Sequence, residues 1–346
     1  MVVTLKDVAE RAGVSRSAVS RTYTDGASVS EKTRKKVEKA SRELGYSPSL
    51  IARSLATNRT KLIGLVANNF QNPIFLEVFD LYTRALQERS LRPLLVNLTN
   101  ETNPEHSVRM LRQYNVDGVI VATSTLQPRF SAAFRNVNMP VVHAFGRFEA
   151  GSPVHVVGID NLACGRMAAD TLIRHGYRNI AFLGGPQMAT STQDRASGFL
   201  SQLKAANMEA VNVVYATAYN YAAGQEAMQE LLGNSQLDAI FCGDDLICMG
   251  AMDAARTNGL SIPQDIGFLG FNDMNMASWS AYNLSTIRQP TPDIILSSIE
   301  LVVALVDDPK RAVETRIFPC SVVERGTLKP LASQSPQGQL KPMDSR

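Results

Sequence analysis

Three groups of side chains in this sequence have types and spacings that could do chemistry. Asp244 and Asp245 are neighbours and could form an acid–base carboxylate pair. Four histidines, His106, His143, His155 and His175, could move protons or hold a metal. Residues 11–21, RAGVSRSAVSR, set three arginines and three serines among a few small apolar residues. The first two groups are poorly arranged for catalysis. Adjacent carboxylates on a loop tend to diverge, and the histidines have neither helical nor ligand spacing, so they read as ordinary surface or strand residues. Cys164, Cys242, Cys248 and Cys320 form no CxxC and have no histidine at metal spacing; they read as reduced thiols of a cytoplasmic protein. No GxGxxG follows the first strand, no GxxxxGK[ST] occurs, and LGGP at 183–186 is a strand-end turn. The expectation is a protein that is not an enzyme and has no cofactor or metal.

The third group asks for a polar, anionic partner. Thr4 is placed to cap a helix from Leu5, with Leu5, Val8, Ala9 and Ala12 on one face. Gly13 ends it, where positive φ is needed. Ser15 can cap a second helix through Arg21, with Ala18 and Val19 inward and Arg16, Ser17, Ser20 and Arg21 outward. Two short helices about a glycine turn make a helix-turn-helix, whose second helix suits a major groove. A third helix starts at Ser30, or at Ser28 with Glu31, buries Val37, Ala40 and Leu44, and stops at Gly45. Residues 1–60 hold twelve Lys/Arg and six Asp/Glu, a balance of +6; the whole chain is +3, which leaves −3 for the rest. A basic head on a mildly acidic body points to a polyanion for the head.

The body alternates short β-branched runs with longer amphipathic ones. Strands are read at 61–68, 92–98, 117–122 and 140–145, with helices around 74–89, 104–114 and 128–136. A second set of strands is read at 179–185, 211–216, 238–243 and 265–271. Two β-α-β sets imply two parallel-sheet subdomains. Apolar residues are 45% and charged residues 19%, enough for a sizeable core. The run IELVVALV at 299–306 is far short of a membrane span, and the N-terminus meets Asp7 and Glu10 too early for a secretory signal.

TLKDVAERAGVSRSAVSR, followed by VSEKTRKKVEKASRELGYSPSLIARSLATNRTKLIGLV, resembles the head of the lactose-repressor/galactose-repressor family of bacterial transcription regulators. The resemblance runs without gaps over residues 3–66 and more loosely to about residue 326. It implies a small all-α helix-turn-helix head (1–46), a hinge (47–60) and an α/β periplasmic-binding-protein-like core of two parallel-sheet subdomains (61–330); the polar, Pro/Gly-containing composition of 331–346 predicts a disordered tail. It implies chain crossings between subdomains near 159–162, 288–292 and 315–320. Thr4, Ser15, Arg16, Ser17, Ser20 and Arg21 are then DNA-contacting candidates. Arg16 and Ser17 stand where the family reads bases, and Arg16 suits a bidentate guanine contact. Leu55 stands where a hinge leucine wedges into the minor groove, and Ala56 replaces a lysine found in some members.

Ligands in such folds bind beyond the carboxyl ends of the strands. Asn72, Phe75, Ser191, Arg195 and Tyr219 match family effector positions, and Arg195 is expected as a lone guanidinium at the cleft rim. Thr123 and Ser124 follow the third strand, and Gln289 lies at the second crossing. Asp244 stands where the family often has asparagine, and Asn272 where many members have aspartate. The expected protein is a dimeric regulator, a repressor of a palindromic double-stranded operator. A sugar or sugar derivative closes the cleft and switches its DNA affinity. The alternative is a constitutive DNA-binding regulator with no effector. The tail lacks the leucine heptads some relatives use for tetramers, so a homodimer is favoured, with no membrane partner.

Overall fold

The computed structural model describes residues 3–24, 26–47, 54, 59–98, 104–233 and 237–331. The expected wedge Leu55, its neighbour Ala56, most of the hinge and the tail beyond Leu331 lie outside the described residues. The chain separates into two compact units, the first essentially residues 1–62 and the second nearly all of the rest.

Three helices make the first unit: α1 (Leu5–Ala12), α2 (Arg16–Thr22) and α3 (Glu31–Leu44). Each begins where a hydroxyl can satisfy an orphan backbone N–H. Thr4 and Asp7 form a reciprocal capping box, Ser15 Oγ accepts from the Ala18 amide, and Ser30 Oγ accepts from the Thr33 amide. Gly13 and Gly45 close α1 and α3 at φ +63° and +66°. Val8, Ala9, Val19, Val37 and Ala40 form the core, ringed by Leu5, Ala12, Val14, Tyr23 and Leu44. Tyr23 Oη donates to Ser41 Oγ at 2.7 Å, and Arg34 donates to the Thr22 carbonyl at 2.9 Å.

The second unit holds two six-stranded sheets. The first sheet takes β1 (Leu62–Ala67), β2 (Arg92–Asn97), β3 (Gly118–Ala122), β4 (Val141–Ala144), β5 (His155–Ile159) and β11 (Thr315–Phe318). Their spatial order is β11-β5-β4-β3-β1-β2. The second takes β6 (Ile180–Gly184), β7 (Asn212–Tyr215), β8 (Ala239–Cys242), β9 (Gly267–Asn272), β10 (Ser285–Arg288) and β12 (Ser321–Val323), in the order β12-β10-β9-β8-β6-β7. The pairings β1–β3, β3–β4, β4–β5, β5–β11, β6–β7, β6–β8, β8–β9 and β9–β10 are parallel, and β10–β12 is antiparallel. Central strands such as β3, β6 and β8 are buried throughout, as continuous apolar runs between helices require.

The connecting helices are α4 (Ile74–Glu88), α5 (Pro104–Gln113), α6 (Pro128–Arg135), α7 (Asn161–Arg174), α8 (Thr190–Ala205), α9 (Tyr221–Leu231), α10 (Asp245–Thr257) and α11 (Thr291–Asp307). The chain passes between sheets three times: from β5 through α7 to β6, from β10 through α11 to β11, and from β11 directly to β12. The short strands β5, β10, β11 and β12 were not read from the sequence; each is short and flanks a crossing, where the pattern is interrupted.

Sheet order reverses between β1 and β3 in one sheet and between β6 and β8 in the other. Such switch points leave crevices beyond the strand carboxyl ends. The helix bearing the second crevice is set at backbone contact. A β-carbon at Gly165 in α7 would overlap the Arg195 carbonyl of α8, and one at Gly198 in α8 would overlap the Leu162 carbonyl of α7. Gly224 and Gly250 bring α9 and α10 together in the same reciprocal way. Backbone cannot yield as a flexible side chain does. Gly165→Ala is therefore expected to cost ~1–3 kcal/mol or more, read as a lower urea midpoint at unchanged m-value.

Candidate functional site

In the head, α2 presents Arg16, Ser17, Ser20 and Arg21 outward, all exposed. Four acids of the head are turned to other work. Asp7 caps α1, Glu10 pairs with Lys6, Glu31 with Lys35, and Glu43 with Arg11 and Lys39. Arg16 and Arg21 make no ion pair with the described residues, and α2 itself contains no acid. Its outer face is thus positive and rich in hydroxyls, the chemistry that phosphates and base edges require. Two candidates have local duties as well. Thr4 donates its hydroxyl to Asp7 Oδ2 at 2.8 Å, and Ser15 Oγ lies 2.9 Å from Ser17 Oγ.

In the core, loops from the carboxyl ends of both sheets line one cleft. Asn72, Phe75, Thr123 and Ser124 come from the first subdomain; Arg195, Tyr219, Asp244 and Asn272 come from the second; Gln289 comes from the second crossing. Asp244 is the hub. As N-cap of α10, its Oδ1 accepts from the amides of Leu246 (2.9 Å) and Ile247 (3.3 Å). Its Oδ2 accepts from Asn72 Nδ2 at 3.0 Å and Asn272 Nδ2 at 2.9 Å. Gln289 Nε2 then donates to Asn272 Oδ1 at 2.5 Å. Asn272 ends β9 at φ +118°, a conformation an amide side chain tolerates better than most. Burial pushes the Asp244 carboxyl up, and these donors and the nearby Arg195 charge oppose it.

The structure corrects the expected place of Arg195. It is not at the rim but 3% exposed, with Nε on Asn161 Oδ1 (2.9 Å) and Nη1 on the Gly243 carbonyl (2.7 Å). Its guanidinium carbon lies 3.5 Å from the centroid of Phe271. Burial moves its pKa down, against attraction from Tyr219, Cys164 and Asp244. Ser191 does not line the cleft; it sits behind it, its Oγ 3.2 Å from Tyr219 Oη, which also meets Thr192 Oγ1 at 2.7 Å. Thr123 spends its hydroxyl on Asn68 Oδ1 at 2.7 Å. Phe75 faces Phe70 and Phe79, at ring separations of 6.3 and 6.0 Å.

Sequence reading missed Asn69, Thr125, Phe145 and Thr291, which also line the cleft. Phe145 and Thr125 follow strand ends and obey the same carboxyl-end rule, so that signal was present. It also missed Arg147, whose guanidinium forks onto Asp194 at 2.7 and 2.8 Å and reaches the Thr190 carbonyl; nothing in the sequence marked it. With Asn72–Asp244 and the Thr190 hydroxyl on the Ser124 carbonyl (2.9 Å), these bonds tie one subdomain to the other. The cleft is accordingly narrow, with free volume of about 60 Å³.

Asp244 and Asp245 diverge, as expected. Asp245 turns away from the cleft to accept from Thr286 Oγ1 (2.6 Å) and the Met274 amide (2.9 Å). His143 and His155 serve the fold. His143, in β4, has Nε2 3.0 Å from the Thr123 carbonyl and is pushed down to about 4 by burial. His155 Nδ1 accepts the Glu314 amide. Among the described residues no His/Cys/Asp/Glu cluster could hold a metal, and no helix is long and apolar enough to cross a membrane.

An acid-free recognition helix in a capped three-helix head, on a chain whose core has two switch-point sheets around a cleft, defines a DNA-binding regulator with a periplasmic-binding-protein-like core. The description "Bacterial regulatory proteins, lacI family" matches residues 4–49, and "Periplasmic binding protein-like domain" matches residues 169–328. The HTH-type transcriptional repressor PurR of Pectobacterium carotovorum subsp. carotovorum (strain PC1) is 35% identical over 296 residues, 84% of this chain and 86% of its own. The HTH-type transcriptional regulator RegA of Clostridium saccharobutylicum is 31% identical over 327 residues, 92% and 98% of the two chains. Among solved structures, the lac repressor dimer bound to operator and the anti-inducer ONPF superposes with a TM-score of 0.86 at 24% identity, covering 95% of this chain and all of that one. A CelR–cellobiose complex does so with a TM-score of 0.70 at 28% identity, covering 94% and 99%. The chain belongs to the lacI family of bacterial regulatory proteins. These relatives are transcriptional regulators and not enzymes.

The buried Asp245 gives a pH signature. Burial raises its carboxyl to about 7, well above the ~4 of an unfolded aspartate. The folded state therefore holds that proton where the unfolded chain releases it, and the stabilisation is lost as pH rises through about 7. Asp245→Asn should gain stability relative to wild type between pH ~4 and ~7, measured by urea unfolding at several pH values.

Proposed function

We propose that the protein is a homodimeric repressor of a palindromic operator whose DNA affinity is set by a sugar or sugar derivative in the core cleft. Residues 1–46 read the DNA, 47–60 form the hinge, 61–330 form the effector and dimerisation core, and 331–346 form a tail. The observation that carries the effector reading is the shared oxygen of Asp244. An amide from each subdomain, Asn72 and Asn272, donates to it. A ligand hydroxyl that takes the place of the Asn72 amide acts directly on the bond between subdomains. A carboxylate flanked by amides, with Phe75, Phe145 and Tyr219 alongside, suits a polyhydroxylated ring. Asn69, Gln289 and Thr291 extend the same polar lining.

The cleft differs from the open one that the sequence reading had a ligand close. Small-molecule pockets run to about 300–1,000 Å³, so a sugar-sized ligand must displace part of the Asn72–Asp244–Asn272–Gln289 network and push the subdomains apart. A ligand then shifts the equilibrium by its differential affinity for the two arrangements. A thermal-shift screen over neutral sugars, sugar acids and nucleobases tests this, because a cleft ligand stabilises by mass action. Stabilisation by no member of the screen would favour the constitutive reading, and stabilisation by nucleobases alone would overturn the sugar class. With the ligand found, Asn272→Ala should lower the concentration for half-maximal shift about 10-fold, because one donor that the ligand must displace from the Asp244 carboxylate is gone.

On the DNA side, Arg16 is exposed, unpaired among the described residues and the first residue of the acid-free α2. Arg16→Ala should cost ~1–3 kcal/mol on the operator and relax preference at one base pair per half-site. Binding to operator and to random duplex, titrated at fixed salt, separates base reading from phosphate contact. An equal loss on both would mean that Arg16 only meets the backbone.

A further inference from the structure

Helix α8 begins without a cap of its own. Its N-cap residue is Ala189, whose side chain accepts no hydrogen bond. The neighbouring core helices differ. Asp160 Oδ1 accepts from the Ala163 amide at the start of α7, Asn220 Oδ1 accepts from the Ala223 amide at the start of α9, and Asp244 caps α10. The first amides of a helix have no partner within it and must find acceptors elsewhere. Those of α8 find them across the cleft.

The Ser191 amide donates to the Ser124 carbonyl at 3.2 Å, and the Thr190 amide to the Thr125 carbonyl at 3.5 Å. Thr190 Oγ1 adds a bond to the same Ser124 carbonyl at 2.9 Å. Both acceptors follow β3, in the first subdomain. Arg147, from the loop after β4 in that subdomain, clamps the same turn. Its Nη2 donates to the Thr190 carbonyl at 2.8 Å and to Asp194 Oδ1 at 2.7 Å, and its Nε donates to Asp194 Oδ2 at 2.8 Å. The turn so held positions a cleft wall in its own right. Ser191 Oγ and Thr192 Oγ1 lie 3.2 and 2.7 Å from Tyr219 Oη, and Tyr219 lines the cleft.

We propose that the first turn of α8 is a conformational switch, capped in trans by the 124–125 carbonyls and clamped by Arg147. Parting of the subdomains removes its cap, loosens the turn and frees Tyr219 from its two hydroxyl partners. A helix with its own cap would keep its order whichever way the subdomains stood; α8, lacking one, depends on closure. Arg147 is a positioning residue that acts on the cleft through the turn it clamps. The proposal rests on the opening of the subdomains proposed above. Its test uses no effector, so its outcome is separate from that of the thermal-shift screen.

Residue-resolved hydrogen exchange of the full chain is the measurement. Arg147→Ala changes no atom of α8, so an effect on α8 must cross the cleft. The Ser191 amide should then exchange about 5-fold faster, while the amides of residues 199–203, later in the helix, keep their wild-type rates. Ala189 has φ −69° and ψ 131°, the extended conformation of a capping residue. Ala189→Ser, or Ala189→Asp as a second variant, supplies in cis the acceptor that Ser124 supplies in trans. Added to Arg147→Ala, such a cap should return the Ser191 amide to near its wild-type rate. An unchanged Ser191 rate in Arg147→Ala, faster exchange spread evenly along α8, or recovery with neither cap would overturn the switch.

Discussion

A buried carboxylate cannot remain ionised without donors, and Asp244 obtains its donors from three separate parts of the chain. The first turn of α10 supplies two amides, the end of β9 supplies Asn272, and the loop after β1 supplies Asn72. Only the last of these belongs to the other subdomain. An unpaired buried charge is expensive, so the relative position of the two sheets is linked to whether Asp244 is satisfied. The cleft is therefore a place where solvation of one group and the arrangement of two subdomains are the same variable. Arg147 on Asp194 acts alongside it, but at the partly exposed edge, where solvent weakens the pair.

Arg195 shows how a charge can line a cleft while its hydrogen bonds go to the wall. Its guanidinium is spent on Asn161, at the start of α7, on the Gly243 carbonyl just before Asp244, and on the face of Phe271. It thereby joins the first crossing to the loop that carries the hub. Gly165, packed under the Arg195 carbonyl, holds the same helix turn from the other side. The geometry of the second crevice rests on backbone contact between α7 and α8 as much as on the polar groups that line it.

Much of this was legible in the sequence, for definite reasons. Thr4, Ser15 and Ser30 announce helix starts because a side-chain oxygen beside orphan amides is a local interaction. Gly13 and Gly45 announce ends because positive φ is also local. The strand runs at β1, β3, β6 and β8 were readable because burial on both faces leaves continuous apolar stretches. Nine of the ten expected effector-site positions line the cleft, since strand ends converge there. Three things were not legible. The strands β5 and β10–β12 flank the crossings, where the alternation of strand and helix runs that marked the others is interrupted. The depth of Arg195 depends on Phe271 and Asn161, which come from other elements. The bonds between subdomains, such as Arg147 to Asp194, join residues 47 apart with no periodic mark.

The three crossings also order the events of synthesis. The first sheet receives β1 to β5 early, but its edge strand β11 and the helix α11 against its face come from residues 291–318. Those residues are made after the second sheet has received β6 to β10. At ~5–20 residues per second of translation, roughly ten to thirty seconds separate the end of β5 from the end of β11. During that interval the face of β3 and β4 that α11 will cover is exposed on the nascent chain. The subdomain that starts first stays incomplete until the second sheet lacks only β12, and α11 is the segment whose arrival ends its vulnerability to other chains.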